Sequence, residues 1–452
     1  MRSWWLGLLS VGVLAGCGFA SDGAAEGVGG DYDVGTGGNP EGNGGSIPTD
    51  APSPTDAMGP EQNAVDQALL AGDWDDSLNF SPWYTDFRDQ YLSYRDDPTI
   101  DVTDRTVILV ESEQGAPIPN ARVSLPGEGP NGLASLGLTA TNGKVQHFPS
   151  HDVSDPATVG TLFTVQIPGQ PDVQELVGET GDGGEVKLVA TAFEPTLPMQ
   201  LDIALVLDTT FSLGDEITYL KNNLDAIDTT IDNAFAGTEV RYGVVAYRDV
   251  GEKYTAEVIV DFTPDLMALE SALTSVEAEG GGDYPEAVEE GFAQMLSLDW
   301  QPGNVARMAF VLGDAPAHED RLDLLNGYIE DARQQGIRVY PIGASGTGDR
   351  AQFFFRQAAL MTLGRYLFLT TDTALEDLQA AEDSGTPLGT MPCYLVQDLR
   401  EVMVRMIASE LTGMRQPAAS GSIVGAIGGP DATTGLCTFG DGATAQTSAQ
   451  QP

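Results

Sequence analysis

Two apolar runs of five residues, 203–207 and 308–312, each end on an acidic loop, and this pairing restricts the fold more than any other feature of the chain. Runs this short and continuous, bounded by turn residues, read as strands buried on both faces, the state of parallel strands covered by helices. The intervening segments keep the alternation. After the first run, Ile217, Leu220, Leu224, Ile227, Ile231 and Phe235 recur at three- and four-residue spacing, one apolar helix face. Further strands read at 240–247, at 258–262 as an antiparallel edge, at 337–342 and at 366–369. Helices read at about 265–278, 285–298 and 350–363, with another ending near 335, where Gly336 supplies a C-cap. Strands alternating with helices predict an α/β doubly wound sheet. In such a sheet the loops leaving the carboxyl ends of parallel strands gather at one edge.

Three segments carry oxygen donors, and two of them, the first and the last, follow the apolar runs above. "LVLDTTFSLGD" holds Asp208, Thr210 and Ser212, "EGGGDYPEAVEEGF" holds Asp283, and "FVLGDAPAHE" holds Asp314. Three carboxylates and two hydroxyls converging at one edge require a divalent cation, and hard oxygen donors suit Mg²⁺ first, or Mn²⁺ or Ca²⁺, rather than Zn²⁺. Glycines 280–282 allow close backbone approach because they lack a Cβ. Asp215 and Glu216 read as helix caps near the positive dipole end. Asp249 and His318 read as loop-shaping residues, with ligand contact as the minority reading.

At these residues the chain resembles a von Willebrand factor type A domain with its metal-ion-dependent adhesion site, whose first loop reads Asp-x-Ser/Thr-x-Ser. "DTTFS" fits that loop. The combination with Tyr247-Arg248-Asp249, "GGGD-x-PE" and "GDAP" is similar to the branch that includes hemicentin-like and alpha-kinase-associated A domains. The resemblance covers roughly 201–371. It implies that Thr210 and Ser212 bind the cation directly, that Asp208 and Asp314 act partly through water, and that a protein partner completes the coordination with an acidic residue. Asp283 stands where many members have Thr. A third carboxylate strengthens cation binding and weakens the pull on an acidic ligand.

The rest of the chain sets the context. Lys+Arg 21 against Asp+Glu 67 gives a net charge of −46, a field that repels nucleic acid and anionic lipid and concentrates cations. Residues 1–16 read as a signal peptide, because the apolar stretch after Arg2 is too short to span a bilayer. Leu14-Ala15-Gly16-Cys17 resembles a bacterial lipobox, which implies cleavage before Cys17 and a lipid anchor on it. Gly18 in place of Asp favours the outer membrane. An ordinary signal peptide is the alternative. Residues 17–60, rich in Gly, Asp and Pro, read as a tether. Residues 61–102 crowd Trp74, Phe80, Trp83, Tyr84, Phe87, Tyr91 and Tyr94 into a segment read as packing on a neighbouring domain, with an exposed aromatic surface as the minority reading.

Short β-branched runs at 103–195 predict a small β-sandwich. The phrase "GAPIPNARVSL…TATNGKVQHF" resembles carboxypeptidase-regulatory-like or transthyretin-like sandwiches. The A-type domain takes 200–384. In 385–416 an amphipathic helix reads over 394–411, and 417–452 reads as a low-complexity tail. With Cys17 lipidated, Cys393 and Cys437 remain, as a disulfide of an exported chain or as two free thiols. No Walker lysine, Gly-x-Ser-x-Gly elbow or CxxC is present, and His147, His151 and His318 offer no triad, so no enzyme is expected. The expected function is metal-dependent adhesion to a protein partner by a lipid-anchored envelope protein. The alternative is an envelope scaffold whose cation only stiffens the loops.

Overall fold

The computed structural model describes residues 68–282, 284–344, 346–370, 391 and 394–427, all within a unit spanning Asn63–Pro452. The readings at Cys17, the tether, Asp283, Cys393 and Cys437 fall outside these residues. A nine-stranded sheet organises the fold. Its strands are β1 (Leu70–Trp74), β2 (Gln200–Asp208), β3 (Glu239–Tyr247), β4 (Ala256–Thr263), β5 (Ala306–Gly313), β6 (Ile337–Gly343), β7 (Tyr366–Thr370), β8 (Tyr394–Asp398) and β9 (Ile423–Ile427). They lie in the order β4-β3-β2-β5-β6-β7-β1-β8-β9. The five strands from β3 to β7 run parallel, and β4 closes one edge antiparallel to β3.

The pleat explains the continuous apolar runs. Along β2, Ala204 and Val206 join one core while Leu201, Ile203, Leu205 and Leu207 join the other. The first core is completed by helices α3 (Val288–Ser297), α4 (Leu322–Gln335) and α5 (Asp349–Thr362). The second is completed by α1 (Gly214–Ala234), α2 (Leu266–Thr274) and α6 (Leu399–Thr412). The fold is therefore α/β and doubly wound. Gly336 ends α4 at φ 71°, a left-handed cap.

The additions to the sheet depart from the sequence reading. The helix read over 394–411 begins only at Leu399. Tyr394, Leu395 and Val396 are instead a buried strand, and Asp398 caps α6 by accepting from the Arg400 amide at 3.0 Å. Within the stretch read as a low-complexity tail, β9 pairs antiparallel with β8. Within the stretch read as a packing segment, β1 lies inside the sheet, antiparallel to both β7 and β8. Trp83, Phe87 and Tyr91 follow β1 and stack on Phe353, with ring centroids 6.3, 5.9 and 4.1 Å apart.

Residues 106–190 form two four-stranded sheets, a β-sandwich around Val110, Val123, Leu136, Phe163 and Leu188. It docks on the amino-terminal edge of the large sheet. Arg307, near the start of β5, donates to Asn120 Oδ1 at 3.1 Å, and Arg338, near the start of β6, donates to the Leu138 carbonyl at 2.9 Å. Gly137, at φ 94°, lets the backbones meet: a Cβ there would lie 2.7 Å from the Arg333 carbonyl oxygen. The carboxyl edge is left to the acidic loops.

Candidate metal centre

β2 and β5 are parallel neighbours with Leu207 opposite Leu312, so Asp208 and Asp314 leave the same edge side by side. Asp208 folds the first loop back on itself. Its Oδ1 accepts from the Thr210 amide at 2.9 Å and from the Thr210 hydroxyl at 2.7 Å, and Thr210 Oγ1 lies 3.4 Å from Ser212 Oγ. Its Oδ2 is buried with no hydrogen-bond partner among the described residues. Burial, and behind it the Asp314 charge, push the Asp208 carboxyl up to about 7, against the two Thr210 bonds. A buried carboxylate oxygen without a donor is a costly arrangement unless a cation or proton satisfies it.

The glycine loop approaches from the other side. Gly280 and Gly281 take φ 78° and 72°, and a Cβ on Gly281 would lie 3.1 Å from Thr210 Cβ. The Phe211 amide donates to the Gly280 carbonyl at 3.3 Å, and the Glu279 amide to the Thr209 carbonyl at 3.0 Å. Buried Arg248 ties both loops together. Its Nε donates to Thr209 Oγ1 at 3.2 Å, its Nη2 to the Glu277 carbonyl at 2.9 Å, and its guanidinium lies over the Tyr254 ring. Next to it, Asp249 bonds His318 at 2.6 Å, linking the loops after β3 and β5.

Asp208, Thr210, Ser212 and Asp314 are thus brought to one edge. Thr210, Ser212 and Asp314 line a pocket of about 610 Å³ with Phe211, glycines 280–282, Tyr284, Glu286 and Ala315. Asp283 is outside the described residues. One acid of the pocket, Glu286, and one buried acid of the adjoining helix, Glu216, carry no signal of this in the sequence. Glu286, buried at the pocket, is held by its amide bond to the Pro316 carbonyl at 3.0 Å. The sequence reads Glu216 as a cap, but Leu213 holds the N-cap position of α1 without a side-chain capping bond. Glu216 is instead buried in the first turn, with Oε2 lacking a hydrogen-bond partner among the described residues, and burial and Asp215 push it up to about 8. Only tertiary burial separates these acids from ordinary surface glutamates.

Among the described residues, one group of His, Cys, Asp and Glu brings three ligand atoms within 4.8 Å of one another: His151, Asp152 and Glu330. Arg333 already occupies that position, 2.7 Å from Asp152 and 3.0 Å from Glu330. This is an ion-pair seam between the sandwich and helix α4. The carboxyl edge differs in kind, because two of its donors are hydroxyls. Its donor set, with Asp208 Oδ2 unsatisfied, fits a hard divalent cation bound through Thr210, Ser212 and the two aspartates.

Residues 202–358 match the family model described as von Willebrand factor A domain. Over 118 residues the chain is 23% identical to "Alpha-protein kinase vwkA" of Dictyostelium discoideum, covering 26% of this chain and 19% of that protein. The match therefore spans about a fifth of that relative's length. Matching solved structures include the conserved hypothetical protein BatB from Bacteroides thetaiotaomicron, at 17% identity over 41% of this chain and 98% of that one, with TM-score 0.29. The vWF domain of the type V pili tip protein Mfa5 from Porphyromonas gingivalis is 11% identical over 44% and 99%, with TM-score 0.31. The pilus adhesin SpaC from Lactobacillus rhamnosus GG is 14% identical over 60% and 34%, with TM-score 0.32.

Proposed function

We propose that this chain, which carries a von Willebrand factor A domain over residues 202–358, is a lipid-anchored envelope protein that captures a protein partner through a divalent cation. Its place is the outer membrane, reached through Cys17. The observation that carries the reading is Asp208 Oδ2, buried without a donor among the described residues, beside two hydroxyls and Asp314 at an open pocket. When bound, a divalent cation supplies charge neutralisation there and an open position for an oxygen of the partner. Asp208 fixes Thr210, Arg248 fixes the glycine loop against the first loop, and the sandwich occupies the opposite edge. The role is binding rather than catalysis.

The test is capture from envelope extract in Mg²⁺, repeated in chelator and with the chain carrying both Asp208→Ala and Thr210→Ala. Capture should be lost in both cases. Metal uptake by calorimetry without any metal-dependent capture would favour the scaffold reading, which the Arg248 ties between loops support.

A further inference from the structure

We propose that the mouth of this pocket selects a partner segment presenting a single carboxylate with an apolar, preferably aromatic, side chain beside it, clasped between Phe211 and Tyr284. The inference rests on the metal-dependent reading above. Phe211 sits between the two hydroxyl donors Thr210 and Ser212, yet its side chain is 78% exposed. Its backbone is fixed by the 3₁₀ turn Phe211–Leu213 and by the bond to the Gly280 carbonyl. Tyr284 reaches the same pocket from the glycine loop and is 55% exposed. Its hydroxyl end packs where Gly348 has no side chain, since a Cβ there would lie 2.6 Å from Tyr284 Oη. Single exposed apolar residues are ordinary. Two aromatic side chains from different loops at the mouth of one pocket, Phe211 on anchored backbone and Tyr284 seated against Gly348, form a pre-organised contact surface instead.

Charge limits what can enter. The pocket is lined by Glu286 and Asp314, Asp208 lies buried beside them, and Glu252 accepts from the Gly281 amide at 3.0 Å. The whole chain carries −46. One carboxylate can complete the coordination of a divalent cation, but a polyacidic segment meets repulsion at every further charge. The remaining contacts are apolar, which the two aromatic residues satisfy.

The experiment uses small probes on the purified chain: propionate, 3-phenylpropionate and phenethylammonium, each in Mg²⁺ and in EDTA, with affinities from ligand-observed NMR and Mg²⁺ uptake from calorimetry. In Mg²⁺, 3-phenylpropionate should bind about tenfold tighter than propionate, and EDTA should abolish both. Phe211→Ala and Tyr284→Ala should each erase the phenyl advantage while Mg²⁺ uptake stays at the wild-type level. Equal affinity for the two carboxylates, an unchanged Phe211→Ala chain, or a preference for phenethylammonium would overturn the inference and leave the cation site standing. A wild-type chain that takes up no Mg²⁺ would remove the underlying reading and this inference with it.

Discussion

Asp208→Asn should abolish Mg²⁺ uptake and, in the same experiment, raise the unfolding temperature of the chelator-treated chain at pH 8. The two effects have one cause. In the folded chain burial lifts the Asp208 carboxyl from 3.8 to about 7, so the folded state favours the protonated form more than the unfolded state does. That contribution to stability is fully present below the unfolded value and is lost as pH rises through the folded one. Between roughly pH 4 and 7 the metal-free chain should therefore lose on the order of 4 kcal/mol from this group alone. Glu216, lifted to about 8, acts with the same sign, so the Asp208→Asn chain should retain a shallower decline. Mg²⁺ should restore stability to the wild type at pH 8, by about 2.7 kcal/mol at a hundred times its Kd, and much less at pH 5. Thermal melts at both pH values, in EDTA and in Mg²⁺, read all of this. If the metal-free wild type and Asp208→Asn followed one pH curve, the carboxylate would not be the strained group described here.

The other large effect lies at the amino-terminal attachment. Arg356 donates to Asp76 Oδ2 at 2.9 Å through Nε and to Oδ1 through Nη2, with Trp74 Nε1 also donating to Oδ1 at 2.9 Å. Both charges are buried, and the guanidinium lies 3.6 Å from the Phe87 ring centroid. Arg356→Ala strands the Asp76 carboxylate with one indole donor and removes a stacked group, at a cost of about 3–5 kcal/mol. Adding Asp76→Asn should recover a large part, because the loss comes mainly from the unpaired charge. Urea midpoints measure it, and limited proteolysis should show early cleavage near Asp76 in the single variant. Equal stability of the single and double variants would contradict the pairing. Asp73 accepts one hydrogen bond from Arg405, with Arg365 and Arg415 each 3.6 Å away, so this strand is held by charge as well as by the sheet.

The parallel strands were legible because each is buried on both faces and spells an unbroken apolar run. Asp208, Thr210 and Ser212 were legible because an alternating oxygen pattern follows such a run. β1 was not, because Leu-Ala-Gly-Asp-Trp lacks the β-branched residues of a typical strand. Its Gly72 is required by a distant neighbour: a Cβ there would lie 2.4 Å from Phe368 Cζ. β8 was merged into a helix because Leu395 and Leu399 fit the helical stripe as well as they fit a strand leading into a cap. Glu216 and Glu286 look like any acid near a helix start, and the structure buries both, Glu286 against the loop that carries Pro316, 30 residues further on.

The most direct measurement is the anomalous signal of Mn²⁺ in crystals of the full chain. One strong peak should appear in the pocket, in bonding contact with the Thr210 and Ser212 hydroxyls, and vanish in the Asp208→Asn chain. No peak there at saturating Mn²⁺, or a peak only at His151, Asp152 and Glu330, would contradict the account.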